Sequence, residues 1–290
     1  MRIGLSLPTG YLAGMVGDDV DQMWIDMFGP RELGLESLKG LGVTSIELND
    51  IREHTSLVEI ERAMDFVNQM KLQISVHLWL PRLDTGELPA AFRQVSQALG
   101  AYEAAMMVPA PIHGHRTPMF PSTEETWAHT IRDLQALCGM LEQSNSPIMP
   151  TLELSRKKAD GPIGITFEEI LELVKAVDSP RLGICWDLGH GLSNVLVHGH
   201  EEVPPEDFLS QLTHTHIHGV LPNGRTHGPI GVANGVGANN ARTGELLNIL
   251  KEFGYKGIYN LELYPARWNG TPDHRRDHVC RSIDRLSDLG

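Results

Sequence analysis

The chain has 290 residues, 41% hydrophobic and 21% charged, which is ordinary globular composition with ample material for a large core. Its 37 acidic and 24 basic residues give a net charge of −13, a balance that repels polyphosphate and argues against nucleic acid as a habitual partner. No apolar run approaches the ~20 residues of a membrane span, the start MRIGLSLPTG lacks the apolar core of a secretory leader, and three scattered cysteines suit a reduced compartment, so a cytoplasmic protein is expected.

In chain order, short β-branched runs near 2–7, 43–48, 72–78, 104–109, 148–154, 181–187, 212–218 and 257–263 read as strands. Helical patterns lie between and after them, near 30–41, 56–70, 89–100, 123–143, 166–178, 204–211, 243–253 and 273–288. Strict alternation means a parallel sheet, and eight repeats close most naturally into a (β/α)8 barrel, one α/β domain over residues 1–290. An open doubly wound sheet is the alternative, and no strand is followed by the G-x-G-x-x-G that its dinucleotide-binding version would carry. Ser122 or Thr123 before Glu125, Thr166 before Glu168 and Glu169, and Pro204 and Pro205 before Glu206 look like helix starts.

Loops after the strands are long and rich in His, Gly, Pro and Arg, whereas loops into the strands are short, as at Leu41-Gly42. The C-terminal mouth is therefore the expected functional face. Residues 8–29, after the first strand, form an insertion unusually apolar for a loop, with Tyr11, Met15, Met23, Trp24, Met27 and Phe28. Three readings stay open for it: a lid, a contact between subunits of a homo-oligomer, or an extra helix packed on the rim.

The stretch THTHIHGVLPNGRTHGPIG, residues 213–231, carries four histidines where a strand meets a loop. His214, His216 and His218 alternate with Thr215 and Ile217, so all three imidazoles share one strand face. A lone histidine there would be a hydrogen-bonded core residue more often than not; three on one face, with His227 in the following loop, point to a site.

Alternation also turns carboxylates inward. Leu152 and Leu154 face the helices, which leaves Glu153 to the interior; Asp187 ends the sixth strand, and Glu262 the eighth. Any one of them could belong to a salt bridge, but these strands carry few inward cationic residues. Three carboxylates at one mouth repel one another unless a cation sits among them. With His216 they make a three-oxygen, one-nitrogen set suited to Mn²⁺, Mg²⁺ or Co²⁺, with Zn²⁺ a further option. His190, three residues after Asp187, stands where it could touch a bound substrate or hold a second metal.

The strand ends TLEL, CWDLGH, HTHIHG with THGPIG, and GIYNLELYP resemble those of the xylose-isomerase-like barrels. That superfamily includes tagatose and psicose 3-epimerases, hydroxypyruvate isomerase, inosose dehydratase and endonuclease IV. The resemblance implies one divalent metal held by Glu153, Asp187, His216 and Glu262, with His190 on a substrate oxygen. His77, His113 and His227 resemble extra ligands of the trinuclear endonuclease site. One acid of that site has no counterpart, however, because Arg225 stands two residues before His227, where it would oppose a third cation. The extra histidines are then expected to bind a polyhydroxylated substrate, with a second metal as the alternative.

The function expected from this is metal-dependent isomerisation or epimerisation of a sugar-like carbonyl compound. Glu153 and Glu262 serve as base and acid as well as ligands, His190 as a catalytic contact, and His77, His113, His218, Arg225 and His227 as substrate contacts. The alternatives are a dehydratase or lyase, with His218 or His113 as general acid, an endonuclease-type phosphodiesterase, and a non-catalytic metal-binding barrel.

Overall fold

A computed structural model describes residues 1–51, 55–78, 95–98, 104–109, 122–157, 163–200, 203–220, 225–230 and 240–289. Eight parallel strands close into one barrel in sequence order. They are β1 (Arg2–Pro8), β2 (Val43–Ile51), β3 (Gln73–Leu78), β4 (Ala104–Pro109), β5 (Met149–Glu153), β6 (Gly183–Asp187), β7 (Leu212–Ile217) and β8 (Ile258–Leu261). The molecule is thus the single-domain (β/α)8 barrel that the alternation of elements predicts.

Buried aliphatic residues such as Leu5, Leu7, Ile46, Leu48, Ile74 and Val76 alternate along the strands with buried polar ones, Ser6, Glu47 and Ser75. By the period of two, the aliphatic set lies under the helices and the polar set lines the barrel. The register then collects the polar set at one level: Ser6 pairs with Glu47, Glu47 with Ser75, Asp187 with His216, and His216 with Asn260.

The helices are α1 (Thr9–Ala13), α2 (Asp19–Phe28), α3 (Arg31–Gly40), α4 (Leu57–Gln69), α5 (Thr123–Gln143), α6 (Phe167–Val177), α7 (Leu188–His198), α8 (Glu206–Ser210), α9 (Asn240–Phe253) and α10 (Pro272–Leu289). Ser122 caps α5 by accepting from the Glu125 N–H, and Thr166 with Glu169 forms a reciprocal capping box on α6. Of the helical pattern near 89–100, residues 95–98 are helical and the remainder lies outside the described residues.

Residues 188–198, where the sequence shows no helical pattern, form α7. Gly189 and Gly191 lower helix propensity there, but Asp187 caps the helix by accepting from the His190 N–H, and Leu188 and Leu192 are buried.

The apolar stretch 8–29 forms α1 and α2. Tyr11, Met23, Trp24, Met27 and Phe28 are buried in the main core, while Met15 is exposed. Trp24 stacks on Phe28 at 5.6 Å, and α2 packs on α3 and α10. Buried Asp21 ties the two helices by accepting from the N–H groups of Tyr11 (2.7 Å) and Gly17 (2.9 Å). Of the three readings, the extra helix packed on the barrel describes this segment, whose large side chains fill the chain's own core. Trp24→Ala is therefore expected to cost ~3–5 kcal/mol of unfolding free energy, as for other fully buried aromatics. Urea unfolding measures it, and a loss under ~1 kcal/mol, the scale of a surface change, would mean that Trp24 is not core.

Among the described residues no helix is long and apolar enough to cross a membrane. Cys138, Cys185 and Cys280 are free thiols.

Candidate functional site

The C-terminal ends of β5, β6, β7 and β8 bring Glu153, Asp187, His216 and Glu262 together. All four are buried, and one ligand atom of each lies within 4.8 Å of all the others. The approach is centred on His216 Nδ1, which is 3.1 Å from Glu153 Oε1, 3.3 Å from Glu262 Oε2 and 3.8 Å from Asp187 Oδ2. Glu262 lies one residue beyond β8, and its N–H still donates to the Ile217 carbonyl (3.1 Å), so the β7–β8 ladder sets its height.

Burial opposes charge on every member of this set, and the neighbours decide who keeps it. Asp187 is held well below the usual carboxylate range, against burial, by His190 and His218. Glu153 is lowered, again against burial, chiefly by its hydrogen bond with His216 and by the nearby His77. Burial pushes Glu262 well above that range; His216 pulls it down, but Glu153 and Asp187 add to the rise. Burial disfavours the imidazolium of His216, yet Glu47 and its other anionic neighbours raise its pKa well above the usual value. The set therefore calls for positive charge, which protons on His216 and Glu262 or one divalent cation would supply.

Two further observations fit a cation. Among the described residues buried Glu262 Oε2 accepts no hydrogen bond, because its 3.3 Å approaches to His216 and His227 lack suitable angles. Three carboxylate oxygens and one imidazole nitrogen are also a ligand set for a hard or borderline divalent ion.

The other predicted residues fall around this cluster. His77 is buried, stacks on His216 with ring centroids 5.5 Å apart, and places Nε2 3.7 Å from Glu153 and 3.8 Å from Glu262. His190, on the first turn of α7, keeps Nδ1 2.9 Å from Asp187 Oδ2. His227 is half-buried at φ 64°, with Nε2 3.3 Å from Glu262, and burial with His218 and His190 beside it lowers its pKa well below the usual value. Arg225 is exposed in the same loop. His113 lies outside the described residues.

His218 is placed differently from a substrate contact. It is completely buried, its Nδ1 accepts from the His227 N–H (3.0 Å), and its Nε2 faces Asp187 Oδ1 at 3.1 Å. An imidazole that accepts at Nδ1 carries its proton on Nε2 when neutral, so His218 donates to Asp187. A Cβ on Gly189 would lie 1.9 Å from the His218 ring, which is why the residue beneath that ring lacks a side chain. The loop that returns His227 to the site folds over at Gly219, whose backbone exchanges hydrogen bonds with Gly228 at 2.7 and 3.0 Å.

Sequence reading missed Glu47. This fully buried carboxylate, in the middle of β2, touches both His214 (3.0 Å) and His216 (3.1 Å) through Oε2. The signal was an acid flanked by Ile46 and Leu48, the same pattern that singled out Glu153.

A family model described as xylose isomerase-like TIM barrel matches residues 35–288. The chain belongs to that family. Among curated proteins, it is 33% identical over 107 residues to an uncharacterized protein of Methanocaldococcus jannaschii, covering 35% of this chain and 32% of the relative. It is 37% identical over 67 residues to a probable endonuclease 4 of Mesomycoplasma hyopneumoniae, covering 21% and 24%. The chain thus spans a third or less of the length of these relatives.

Several solved structures match over nearly their whole length. D-allulose 3-epimerase from Methylomonas sp. with bound D-allulose has a TM-score of 0.65 at 15% identity, covering 100% of this chain and 98% of that one. A D-tagatose 3-epimerase-like protein gives 0.61 at 19%, covering 99% and 98%. A probable 3-DHS dehydratase of petrobactin synthesis from Bacillus anthracis gives 0.62 at 16%, covering 99% of each chain. At these identities the likeness is one of fold.

Proposed function

We propose that this protein is a divalent-metal-dependent isomerase or epimerase of a sugar or related polyhydroxy carbonyl compound. One observation carries the proposal: Glu153 and Glu262 approach the same point beside His216 Nδ1, at 3.1 and 3.3 Å, from strands well apart around the barrel mouth. Two carboxyl groups so placed can reach a small substrate from two sides. Glu153, Asp187, His216 and Glu262 would hold the ion, with Mn²⁺, Mg²⁺ and Co²⁺ favoured over Zn²⁺ by the oxygen-rich set. When bound, a divalent ion supplies Lewis acidity, polarising a substrate carbonyl and offsetting the negative charge that grows as the adjacent C–H proton leaves.

The proton work belongs to the chain. One glutamate removes the proton from the carbon beside the carbonyl, and the other returns one to the opposite face of that carbon, or, for an aldose–ketose change, to the neighbouring carbon while a hydroxyl proton passes between the two oxygens. His190 Nδ1 faces two acceptors, the Leu154 carbonyl at 3.3 Å and Asp187 Oδ2 at 2.9 Å, and so carries the hydrogen; in the neutral form Nε2 then offers a lone pair to a substrate hydroxyl. His77 and His227 flank the two glutamates and would bind further hydroxyls. Arg225 would meet a distal hydroxyl or anionic group, and His218 serves the site by holding Asp187.

A dehydratase would use the same deprotonation and then expel a β-hydroxyl, which the glutamate that took up the proton would protonate as it leaves. Incubation with a panel of ketoses and keto-inositols in D₂O, read by mass spectrometry, separates the two. Uptake of one deuterium into unreacted or isomerised sugar supports the first reading, and loss of water supports the second. In the same assay Arg225→Ala should raise KM at unchanged metal content. No exchange with any substrate, together with cleavage of DNA at abasic sites, would put a nuclease in place of both.

A further inference from the structure

We infer that Glu47 is a positioning residue that decides which nitrogen of His216 faces the carboxylate cluster. The inference rests on the metal-site reading given above, but it concerns a group that reaches neither the ion nor the substrate. Glu47 is fully buried in β2, where hydroxyls, an amide and two imidazoles surround its carboxylate. Ser6 donates to Oε1 at 2.6 Å and Asn260 Nδ2 to the same oxygen at 3.0 Å. His214 Nε2 and His216 Nε2 both point at Oε2, at 3.0 and 3.1 Å, with Ser75 Oγ at 3.5 Å.

A carboxylate that receives donors at both oxygens offers only lone pairs to an imidazole. The nitrogen facing Glu47 must then carry the hydrogen, so Nε2 is an N–H of His216. Nδ1 donates to Glu153 in the metal-free ring, and when a cation displaces that proton the lone pair it meets is on Nδ1. That is the nitrogen facing Glu153, Asp187 and Glu262. The carboxylate thus orients the ring and selects the tautomer, as buried acids behind metal-binding histidines do. His214 shares Oε2 and lies close to Glu47 and His216, but among the described residues its Nδ1 has no hydrogen-bond partner, and it is not a member of the Glu153, Asp187, His216 and Glu262 set. It is a brace for Glu47 rather than a second ligand.

Glu47→Gln tests this with almost no change of volume. The glutamine carbonyl can satisfy Ser6 and Asn260, which turns the amide N–H toward His216 Nε2. That geometry favours a lone pair on Nε2 and the hydrogen on Nδ1, the reverse of the native arrangement. Nitrogen-15 spectra of the metal-free protein, taken at a pH high enough for the His216 ring to be neutral, should show the His216 Nε2 proton in the wild type and its loss in the variant. Competition with a fluorescent chelator should show Mn²⁺ affinity lowered ~10- to 100-fold, the usual scale for such outer partners. His214→Gln, which removes the brace and not the selector, should keep Mn²⁺ affinity within about two-fold of the wild type, well inside that scale.

Far-ultraviolet dichroism would check that each variant is folded. If Glu47→Gln proves unstable, the wild-type spectrum alone decides, since a hydrogen found on Nδ1 with Nε2 bare overturns the inference. Equal loss of Mn²⁺ affinity in the Glu47 and His214 variants would reduce Glu47 to a packing residue. A wild type that binds no Mn²⁺ but shows the Nε2 hydrogen would defeat the metal reading and leave the tautomer assignment standing.

Discussion

Replacing Glu153 or Glu262 by glutamine is expected to lower kcat by at least ~10²-fold, the usual scale for loss of a general acid or base. Glutamine keeps the length and one carbonyl oxygen of each side chain, so the packing beside His216 survives, but neither amide can take up a proton. Both glutamates are also candidate ligands, and the two roles are separable. A variant assayed at saturating metal and still slow has lost proton transfer; one that recovers full rate has lost only affinity. If both mutants are proton-transfer mutants, each should also abolish deuterium uptake from solvent in at least one direction of the reaction. A folded, metal-loaded variant with near-normal turnover would remove that glutamate from the mechanism.

Protein purified without chelator should contain about one equivalent of divalent metal, because the four-residue set is one closed group of ligands. Chelation should remove both the metal and the activity, and adding back Mn²⁺ at 100 times its Kd should stabilise the fold by about 2.7 kcal/mol through mass action. The sharper variant is Asp187→Asn. Asp187 both faces His216 and caps α7. Asparagine caps a helix as well as aspartate does, so helix stability should change little while the charge is lost from the ligand set. Metal content should therefore fall well below stoichiometric in a protein whose metal-free melting temperature is near that of the wild type. Activity that survives EDTA, or full metal content in the Asp187 variant, would refute the four-ligand assignment.

Much of this barrel can be read from its one-dimensional pattern, for a physical reason. A parallel strand alternates its faces every residue and a helix every three to four, so β5 with Leu152 and Leu154 outward announces Glu153 inward without knowledge of its neighbours. The same local rule put His214, His216 and His218 on one face, and composition marked the loops after the strands as the working end. Helix α7 escaped because its stability comes from the Asp187 cap and from burial of Leu188 and Leu192, and its two glycines conceal it from propensity. The apolar residues of 8–29 could not be assigned to lid or core until α2 was seen packed on α10, more than 200 residues away in the chain.

The division of labour among the histidines is likewise a tertiary fact. Three imidazoles at alternate positions are equivalent in sequence. In the barrel His214 braces Glu47, His216 faces three carboxylates, and His218 is enclosed between Asp187 and the backbone of His227. Glu47 shows the same limit, since its neighbours Ser6, Ser75, His214, His216 and Asn260 come from β1, β3, β7 and β8. The sequence by itself determined the strand count, the inward side of each strand and the residue types at the mouth, because these follow from local periodicity. Only the closed sheet decided which of those residues touch, because hydrogen-bond register between strands distant in sequence sets the height of every side chain in the barrel.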